Sequence, residues 1–550
     1  MSTPRAALAF AALLWAACLA SGLALRPLLP VDETRYLAVA LEMWQRGDFL
    51  VPWRNGVPYH HKPPLLFWSM HAGWAVLDVG EAWARMVAPL FGLASLAACV
   101  ALARLLHPGR PAVAAMAPLA LMAFSYFALF GTLTFFDTLV TFFALVGWIG
   151  MVLAARGQEA RGWTLVALAL GLGILAKGPV QLLHLLPVAL LAPLWARAAG
   201  GSPSWRRWYA GLGLALLAGA AIGLAWAIPA AISGGEEFAR KIFLGQHTGR
   251  MVRSFQHARP FWWYAPMLLA LLFPALWWLA PWRGLRGGGL GDGGTRFVAC
   301  ACLPVLAAFS AISGKQPHYL LPEFALAAIL LARLADREGF EDRRIDRAVP
   351  ALGLALAGIG MVALPFLAPR VAQGRPGMEL APGAAIAIAG FGLVLLAGAA
   401  LLLRDRARAA PARLASLAAA TAALVVAANL GFLVLAPAND AAPIARVLAA
   451  AEAEGRRVGM VGDYESEFHF AGRLRQPFAD ELGDAGAIAW ARANPEGVVL
   501  RSYGRRAALP ADWPAPLHLG PWRGRLVAAW PAALVAGPRG AELMSDPPAR

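Results

Sequence analysis

The sequence predicts a polytopic α-helical membrane protein that ends in a small α/β domain. Of its 550 residues, 59% are hydrophobic and only 15% are charged, whereas soluble proteins usually carry about 25% charged residues. Apolar runs of about 20 residues, long enough to cross a bilayer core, recur up to residue 436. Acidic residues, glycine and proline then return to globular frequencies. We therefore predict a membrane domain at 1–436 and an α/β domain at 437–550.

The membrane domain is predicted to contain thirteen spans, each a largely apolar run bounded by polar, glycine or proline residues. Two longer segments between spans, 30–82 and 233–261, are predicted to form outer loops. The predicted spans are 7–29, 83–103, 112–130, 134–155, 163–177, 179–196, 208–232, 262–282, 297–313, 319–335, 348–368, 384–403 and 415–436.

Basic residues are divided unequally between the two sets of connections. The set that begins at Arg5 holds 20 Lys or Arg, and the short connections on the other side hold four. Because cytoplasmic connections carry the excess of positive charge, we expect a cytoplasmic N-terminus, with the long loops and the C-terminal domain outside. The net charge of +16 therefore indicates membrane topology, and no nucleic-acid partner is expected.

The C-terminal domain shows short runs typical of strands at 457–461 and 497–500, and a helical pattern at 483–493 between them. This alternation predicts a small α/β fold.

Only four lysines occur among the 48 basic residues, and all four fall on the outer side: Lys62, Lys177, Lys241 and Lys315. Cations at a membrane surface suit lipid phosphates. Snorkelling of the side chain to the interface is the alternative, and it is strongest for Lys241.

The first outer loop opens with two carboxylates, Asp32 and Glu33, followed by Arg35 and Tyr36. A carboxylate at this position can act as a base toward an acceptor group. Alternatively, Asp32 caps a helix and Glu33 complements its dipole.

Two further sets of residues point to ligand binding. His60 and His61, beside this carboxylate site, could hold a divalent metal, although neighbouring histidines point in different directions in regular structure. In the second loop, Arg250 and Arg253 present planar guanidinium groups that suit phosphate oxygens. Simple contact with lipid headgroups is the alternative.

Asp137 is an isolated carboxylate at the outer end of an apolar span. A charge in such a setting needs a partner. We expect that partner to come from the Lys62 or the Lys177 segment.

Taken in order, these motifs resemble the bacterial lipid A aminoarabinose transferases, in the wider protein O-mannosyltransferase-like group of glycosyltransferases. The likeness runs from about residue 25 to 335, and one position departs from it, since His61 stands where those transferases carry Glu. The motifs occupy 32–36, 61–63, 176–178, 256–264 and 313–319.

The resemblance implies a C-type glycosyltransferase fold of thirteen helices with a periplasmic α/β domain, in the bacterial inner membrane. It implies a sugar donor linked to undecaprenyl phosphate and lipid A as acceptor, with a protein or cell-surface glycan as the alternative acceptor. No cofactor is expected, and a divalent metal at His60 and His61 stays open.

The resemblance also implies residue roles. Asp32 would be the catalytic carboxylate and Asp137 a second acidic residue near the site, while Lys62 and Arg250 would hold the lipid phosphate. The remaining residues expected to bind substrate are Glu33, Arg35, Tyr36, Tyr59, His61, Lys177, Arg253, His257, Lys315 and Tyr319.

A lipid or solute transporter is the competing hypothesis, because thirteen spans and charges within the membrane would also suit one. The sequence shows no internal repeat, and its polar residues gather at one face, whereas transporters bind substrate near the midplane between repeats. These features favour the enzyme.

Overall fold

The computed structural model describes residues 3–245, 258–287, 291–372, 382–404, 409–504 and 509–547. Within these residues, ten helices are long and apolar enough to cross a membrane, so the chain is a multi-span membrane protein. The ten helices are Pro4–Leu25, Glu81–Leu106, Asp137–Ala155, Glu159–Lys177, Trp205–Gly234, Gly293–Ala311, Pro317–Ala335, Arg344–Ala368, Gly383–Arg404 and Ala410–Val434.

The other three predicted spans, 112–130, 179–196 and 262–282, are broken into shorter helices. The first becomes Pro111–Met122 and Ser125–Phe130, and the second becomes Val180–Leu190 and Ala192–Trp195. The third is divided into Phe261–Trp263, Tyr264–Leu271, Ala275–Trp277 and Pro281–Gly287.

Backbone hydrogen bonds connect the breaks in two of these spans, 112–130 and 262–282. The Ser125 amide donates to the Phe273 carbonyl at 2.7 Å, and the Ala275 amide donates to the Ala123 carbonyl at 3.3 Å. Irregular backbone at membrane depth is tolerated where it is buried in protein, because lipid offers no hydrogen-bond partners. The two broken spans therefore stabilise one another.

The first outer loop is largely ordered structure. Helix Asp32–Arg46 is followed by a two-stranded hairpin, Trp53–Arg54 with Val57–Pro58, and then by helix Leu65–Leu77. The hairpin turns at Asn55-Gly56, and both residues have positive φ, of 50° and 82°, as expected for Asn-Gly in a tight turn. In the second outer loop, Glu236–Arg240 and Lys241–Gly245 follow the span Trp205–Gly234.

The C-terminal region contains a five-stranded sheet. Its strands, from one edge to the other, are Ala479–Leu482, Val458–Val461, Val498–Tyr503, Arg525–Pro531 and His518–Trp522. The first three are parallel, and the last two form an antiparallel hairpin on that core. The predicted strands and the predicted helix, observed as Asp484–Ala493, are confirmed.

Helices cover both faces of this sheet. One face packs against Ala442–Ala453, around buried residues that include Tyr464 and Trp522. The other face packs against Asp484–Ala493, Ala532–Ala536 and Gly540–Leu543. Both apolar faces of the sheet are therefore buried, as an α/β fold requires.

Candidate active site

The pair Asp137 and Lys177 joins two packed spans at one end of the membrane domain. Helix Asp137–Ala155 runs antiparallel to helix Glu159–Lys177, so the first residue of one lies beside the last residue of the other. The Lys177 Nζ lies 2.5 Å from the Asp137 Oδ1, and both side chains are nearly buried. The prediction that Asp137 has a lysine partner is therefore confirmed. The partner is needed because burying an unpaired carboxylate in the membrane domain costs free energy.

Lys62 lies close to this pair but outside it. Its side chain is half-buried, and its Nζ is 5.6 Å from the Phe136 ring centroid. Within the described part of the chain, Lys62 has no ion pair or hydrogen bond. Burial and the Lys177 ammonium lower the pKa of Lys62 to about 8, against the opposing effect of Asp137. A poorly solvated cation of this kind is suited to binding an anion.

Asp32 is the first residue of helix Asp32–Arg46, which places it one helical turn from Arg35 and Tyr36. Its Oδ1 accepts hydrogen bonds from the Arg35 Nη2 at 2.5 Å and from the Tyr36 hydroxyl at 3.0 Å. The Asp32 side chain nevertheless remains 42% exposed. Val31 occupies the N-cap position, so the expectation that Asp32 caps the helix is wrong. The carboxylate is thus oriented by side chains and stays accessible to a ligand.

Glu33, by contrast, is fully buried. One of its oxygens accepts from the Leu29 amide at 3.0 Å and the other from the Thr134 amide at 2.8 Å. The Arg26 Nη2 lies 3.9 Å from the Glu33 Oε1. Glu33 therefore ties the start of helix Asp32–Arg46 to the turn before Asp137, and the substrate contact predicted for Glu33 is corrected to a structural one.

Tyr36 and Tyr59 are both buried beside Asp32. Burial and the Asp32 carboxylate hold the pKa of Tyr36 well above its usual value, which keeps its hydroxyl a hydrogen-bond donor. Burial likewise raises the pKa of Tyr59 to about 12.

The two histidines of the first loop follow Tyr59. The His61 ring centroid lies 5.1 Å from that of Tyr59 and 4.3 Å from that of His60. In the residues that the structure describes, no group of three or more His, Cys, Asp or Glu could hold a metal. Metal binding by His60 and His61 stays a prediction.

Lys315 and Lys241 are occupied elsewhere. The Lys315 ammonium is buried and donates to the carbonyl groups of Ile312 at 2.5 Å and Arg259 at 3.0 Å. It therefore fastens the end of the second outer loop to the turn after helix Gly293–Ala311, and the predicted phosphate contact of Lys315 is corrected accordingly. Lys241 forms a surface ion pair with Glu237 at 2.6 Å.

Tyr319 and His318 lie beside Lys177. The Lys177 Nζ lies 4.9 Å from the Tyr319 ring centroid, so the structure places the predicted residue Tyr319 next to the ion pair of Lys177 and Asp137. His318 stacks on Phe130 at 5.2 Å and interacts electrostatically with Asp137, Lys177 and Lys62. We did not predict a role for His318, although its place inside the 313–319 motif was a usable signal.

Glu465, from the C-terminal region, also reaches this site. One of its oxygens accepts from the Arg35 Nη1 at 3.0 Å and from an Arg54 nitrogen. The sequence held no signal for these contacts, because 430 residues separate Arg35 from Glu465. Arg250, Arg253 and His257 lie outside the described residues, and their binding roles stay predictions.

The described cluster thus combines an accessible carboxylate with several cations and buried tyrosines. Asp32 can orient or deprotonate a nucleophile. Lys62 can stabilise a departing anion, since fixed cations in a poorly solvated site strongly favour developing negative charge.

Comparison with known proteins shows that this chain is similar to a group of glycosyltransferases. Residues 61–232 match the family model described as dolichyl-phosphate-mannose-protein mannosyltransferase. The undecaprenyl phosphate-α-4-amino-4-deoxy-L-arabinose arabinosyl transferase of Edwardsiella ictaluri is 32% identical over 364 residues, which are 63% of this chain and 62% of that protein. The transferase of the same name from Pseudomonas aeruginosa is 30% identical over 352 residues, or 61% of each chain.

Solved structures show the same relationship at the level of the fold. The crystal structure of ArnT from Cupriavidus metallidurans matches with a TM-score of 0.72 and 21% identity, and it covers 96% of this chain and 98% of that one. This chain is similar in sequence and fold to the aminoarabinose transferases. The predicted resemblance and the predicted C-type glycosyltransferase fold are confirmed.

The aminoarabinose transferases align with only part of this sequence. The alignment spans about three fifths of the length of the curated relatives that the chain matches. A second structure of the Cupriavidus metallidurans protein, with the same TM-score of 0.72, contains bound undecaprenyl phosphate.

Proposed function

We propose that this protein is an integral-membrane glycosyltransferase that moves an aminoarabinose-type sugar from undecaprenyl phosphate to a phosphate group of lipid A. The observation that carries the proposal is the accessible Asp32 carboxylate in the same cluster as Lys62, a half-buried cation with no ion pair to the described residues. The names of the relatives and the undecaprenyl phosphate bound to the similar structure support the donor class.

In the proposed reaction, an oxygen of the acceptor attacks the anomeric carbon of the donor sugar. The bond between that carbon and the undecaprenyl phosphate oxygen breaks, and the phosphate leaves with the electron pair. Lys62, together with Arg250, would stabilise this leaving phosphate. A single displacement inverts the configuration at the anomeric carbon.

The part of Asp32 depends on the acceptor. An ionised phosphate needs no base, so Asp32 would orient the acceptor. A hydroxyl acceptor on a protein or a surface glycan would transfer its proton to Asp32. The match of residues 61–232 to a protein mannosyltransferase family favours this second acceptor class as the alternative.

The proposal requires no cofactor, because a polyprenyl phosphate is already a good leaving group once cations surround it. A divalent metal at His60 and His61 would be an addition to this chemistry.

The proposed location is the bacterial inner membrane, with the N-terminus in the cytoplasm and the site and C-terminal domain on the periplasmic face. The excess of basic residues in the connections that begin at Arg5 supports this orientation.

The Asp32→Asn variant tests the mechanism. Purified protein in nanodiscs, supplied with an undecaprenyl phosphate-linked aminoarabinose donor and lipid A, should add one aminopentose to lipid A, as measured by mass spectrometry. We expect Asp32→Asn to lower the rate by about 100-fold or more, because the acceptor loses the carboxylate that orients it, while undecaprenyl phosphate binding is retained.

Glu237→Gln provides the matched control, because Glu237 is a largely exposed carboxylate of the second outer loop and its loss should leave transfer unchanged. Sugar transfer by Asp32→Asn at the rate of the unaltered protein would contradict the mechanism.

A further inference from the structure

A second group of cations lies beside Asp32, apart from Lys62. Arg35 and Arg54 both donate to the same carboxylate oxygen of Glu465. Their side chains are 15% and 22% exposed, and that of Glu465 is 32% exposed. Two guanidinium groups that converge on one anionic oxygen form the arrangement with which proteins bind phosphate.

This cluster contains hydrogen-bond donors that do not donate to the Glu465 carboxylate. The Tyr59 side chain is 3% exposed, and its hydroxyl has no hydrogen-bond partner among the described residues. The buried Nε of Arg35 is likewise without a partner there. The guanidinium carbon of Arg54 lies 6.0 Å from the Tyr59 ring centroid. A phosphate group presents three acceptor oxygens and could satisfy donors that one carboxylate oxygen leaves open.

The cluster is also well placed relative to the proposed chemistry. The Nη2 of Arg35 donates to Asp32 while its Nη1 donates to Glu465. An anion in the place of the Glu465 carboxylate would therefore lie one guanidinium group away from Asp32.

We propose that Arg35, Arg54 and Tyr59 bind the phosphomonoester of the acceptor, and that the Glu465 carboxylate occupies this site until the acceptor displaces it. The inference rests on the proposed function and names the acceptor subsite within it. Glu465 belongs to the C-terminal domain, so this domain closes the acceptor site when the site is empty. Lys62 belongs to the separate set of cations assigned to the donor phosphate.

A different result is expected if the ion pair of Arg54 and Glu465 has only a structural role between the domains. Arg54→Gln and Glu465→Gln break the same ion pair. If the pair only holds the domains together, both variants affect acceptor use in the same direction. If Arg54 binds the acceptor and Glu465 competes with it, the two variants act in opposite directions.

The experiment uses the full-length protein in nanodiscs, with monophosphoryl lipid A as acceptor and dephosphorylated lipid A as the comparison. We expect Arg54→Gln to raise the KM for monophosphoryl lipid A by about tenfold, since a hydrogen bond between charged groups is lost. We expect Glu465→Gln to lower the same KM several-fold. Neither variant should change the affinity for undecaprenyl phosphate.

Arg46→Gln is the matched control. Arg46 also pairs with a glutamate, Glu42 at 2.8 Å, and its guanidinium carbon lies 4.3 Å from the Trp53 ring centroid, but it is not part of the cluster. Its substitution should leave the KM unchanged. Thermal melting of each variant verifies that the protein is folded.

Three results would overturn the inference: an unchanged KM in Arg54→Gln, a shift of the same sign in both variants, or an equal loss of undecaprenyl phosphate affinity in Arg54→Gln. The last result would assign the cluster to the donor phosphate. A direct measurement of lipid A binding distinguishes a failure of this inference from a failure of the proposed function. If the unaltered protein transfers no sugar, the proposed function fails, while phosphate-dependent binding of monophosphoryl lipid A that is lost in Arg54→Gln would still support the subsite.

Discussion

The lysines illustrate how surroundings decide what one type of side chain does. Lys177 is neutralised by Asp137, and Lys315 is saturated by backbone carbonyl groups. Lys62 has neither kind of partner in the described residues. The same holds for neighbouring carboxylates, since Asp32 is accessible and Glu33 is enclosed by backbone amides. The sequence shows where these lysines and carboxylates lie along the chain. Their burial and their hydrogen-bond or ion-pair partners in the structure distinguish those with a structural role from those that are available to a ligand.

Lys62 leads to a pH-dependent prediction. Its pKa, lowered to about 8 by burial and the Lys177 ammonium, means that Lys62 is charged below that pH and neutral above it. A bound phosphate favours the charged form, so affinity for undecaprenyl phosphate should be full below about pH 8 and fall as the pH rises further, by up to about tenfold per pH unit. Binding measured between about pH 6.5 and 9.5 tests this expectation.

Lys62→Arg is the control, because a guanidinium stays protonated throughout this range. The decline in affinity above pH 8 should disappear in this variant. An identical decline in Lys62→Arg, or none in the unaltered protein, would show that Lys62 does not bind the phosphate.

Among the secondary-structure elements, the tight turn after helix Glu159–Lys177 holds Lys177 in place. Gly178 follows with φ 83° and ψ −163°, a region that is essentially restricted to glycine. The chain can therefore leave the helix directly after Lys177 and begin Val180–Leu190 close by. The boundary between the predicted spans 163–177 and 179–196 places a turn at Gly178, but the contact between Lys177 and Asp137 depends on how the two helices pack.

Gly178→Ala should destabilise the protein by about 1–3 kcal/mol through backbone strain. No atom lies within 4 Å of the added Cβ, so a steric clash does not contribute. Thermal unfolding in detergent should show a lower midpoint, and transfer activity should fall as Lys177 shifts.

Gly213→Ala is the matched control for this change. Gly213 lies inside helix Trp205–Gly234 and also has open space around it, and alanine favours a helix over glycine by about 1 kcal/mol. An unchanged midpoint in Gly178→Ala, with or without a gain in Gly213→Ala, would contradict the strain argument.

In the whole molecule, the C-terminal domain is seated on the first outer loop. Asn55, in the hairpin turn, donates to the Phe478 carbonyl at 3.0 Å and accepts from the Phe478 amide at 2.7 Å. Trp74 stacks against Phe470 with ring centroids 6.1 Å apart. These contacts hold Glu465 beside the site.

Asn55→Ala should loosen this docking by about 2 kcal/mol or more, because two buried backbone groups of Phe478 lose their partners. Hydrogen exchange should become faster in the segment that contains Phe478 and strand Ala479–Leu482, while the membrane helices keep their protection. Val57→Ala, at an exposed position of the same hairpin, should leave exchange unchanged. Equal exchange in Asn55→Ala and the unaltered protein would show that these hydrogen bonds do not hold the domain.

The sequence by itself determined the membrane class, the places of most of the thirteen predicted spans and the strands near 457–461 and 497–500, and it predicted a site around Asp32, Lys62 and Asp137. These features follow from hydropathy and motif spacing, which are local properties of the chain. Only the tertiary structure decided how the breaks at Phe124 and Pro274 pair, and which lysine neutralises Asp137. It also brought Glu465 to Arg35, because contacts between residues hundreds of positions apart arise from packing and leave no periodic signal.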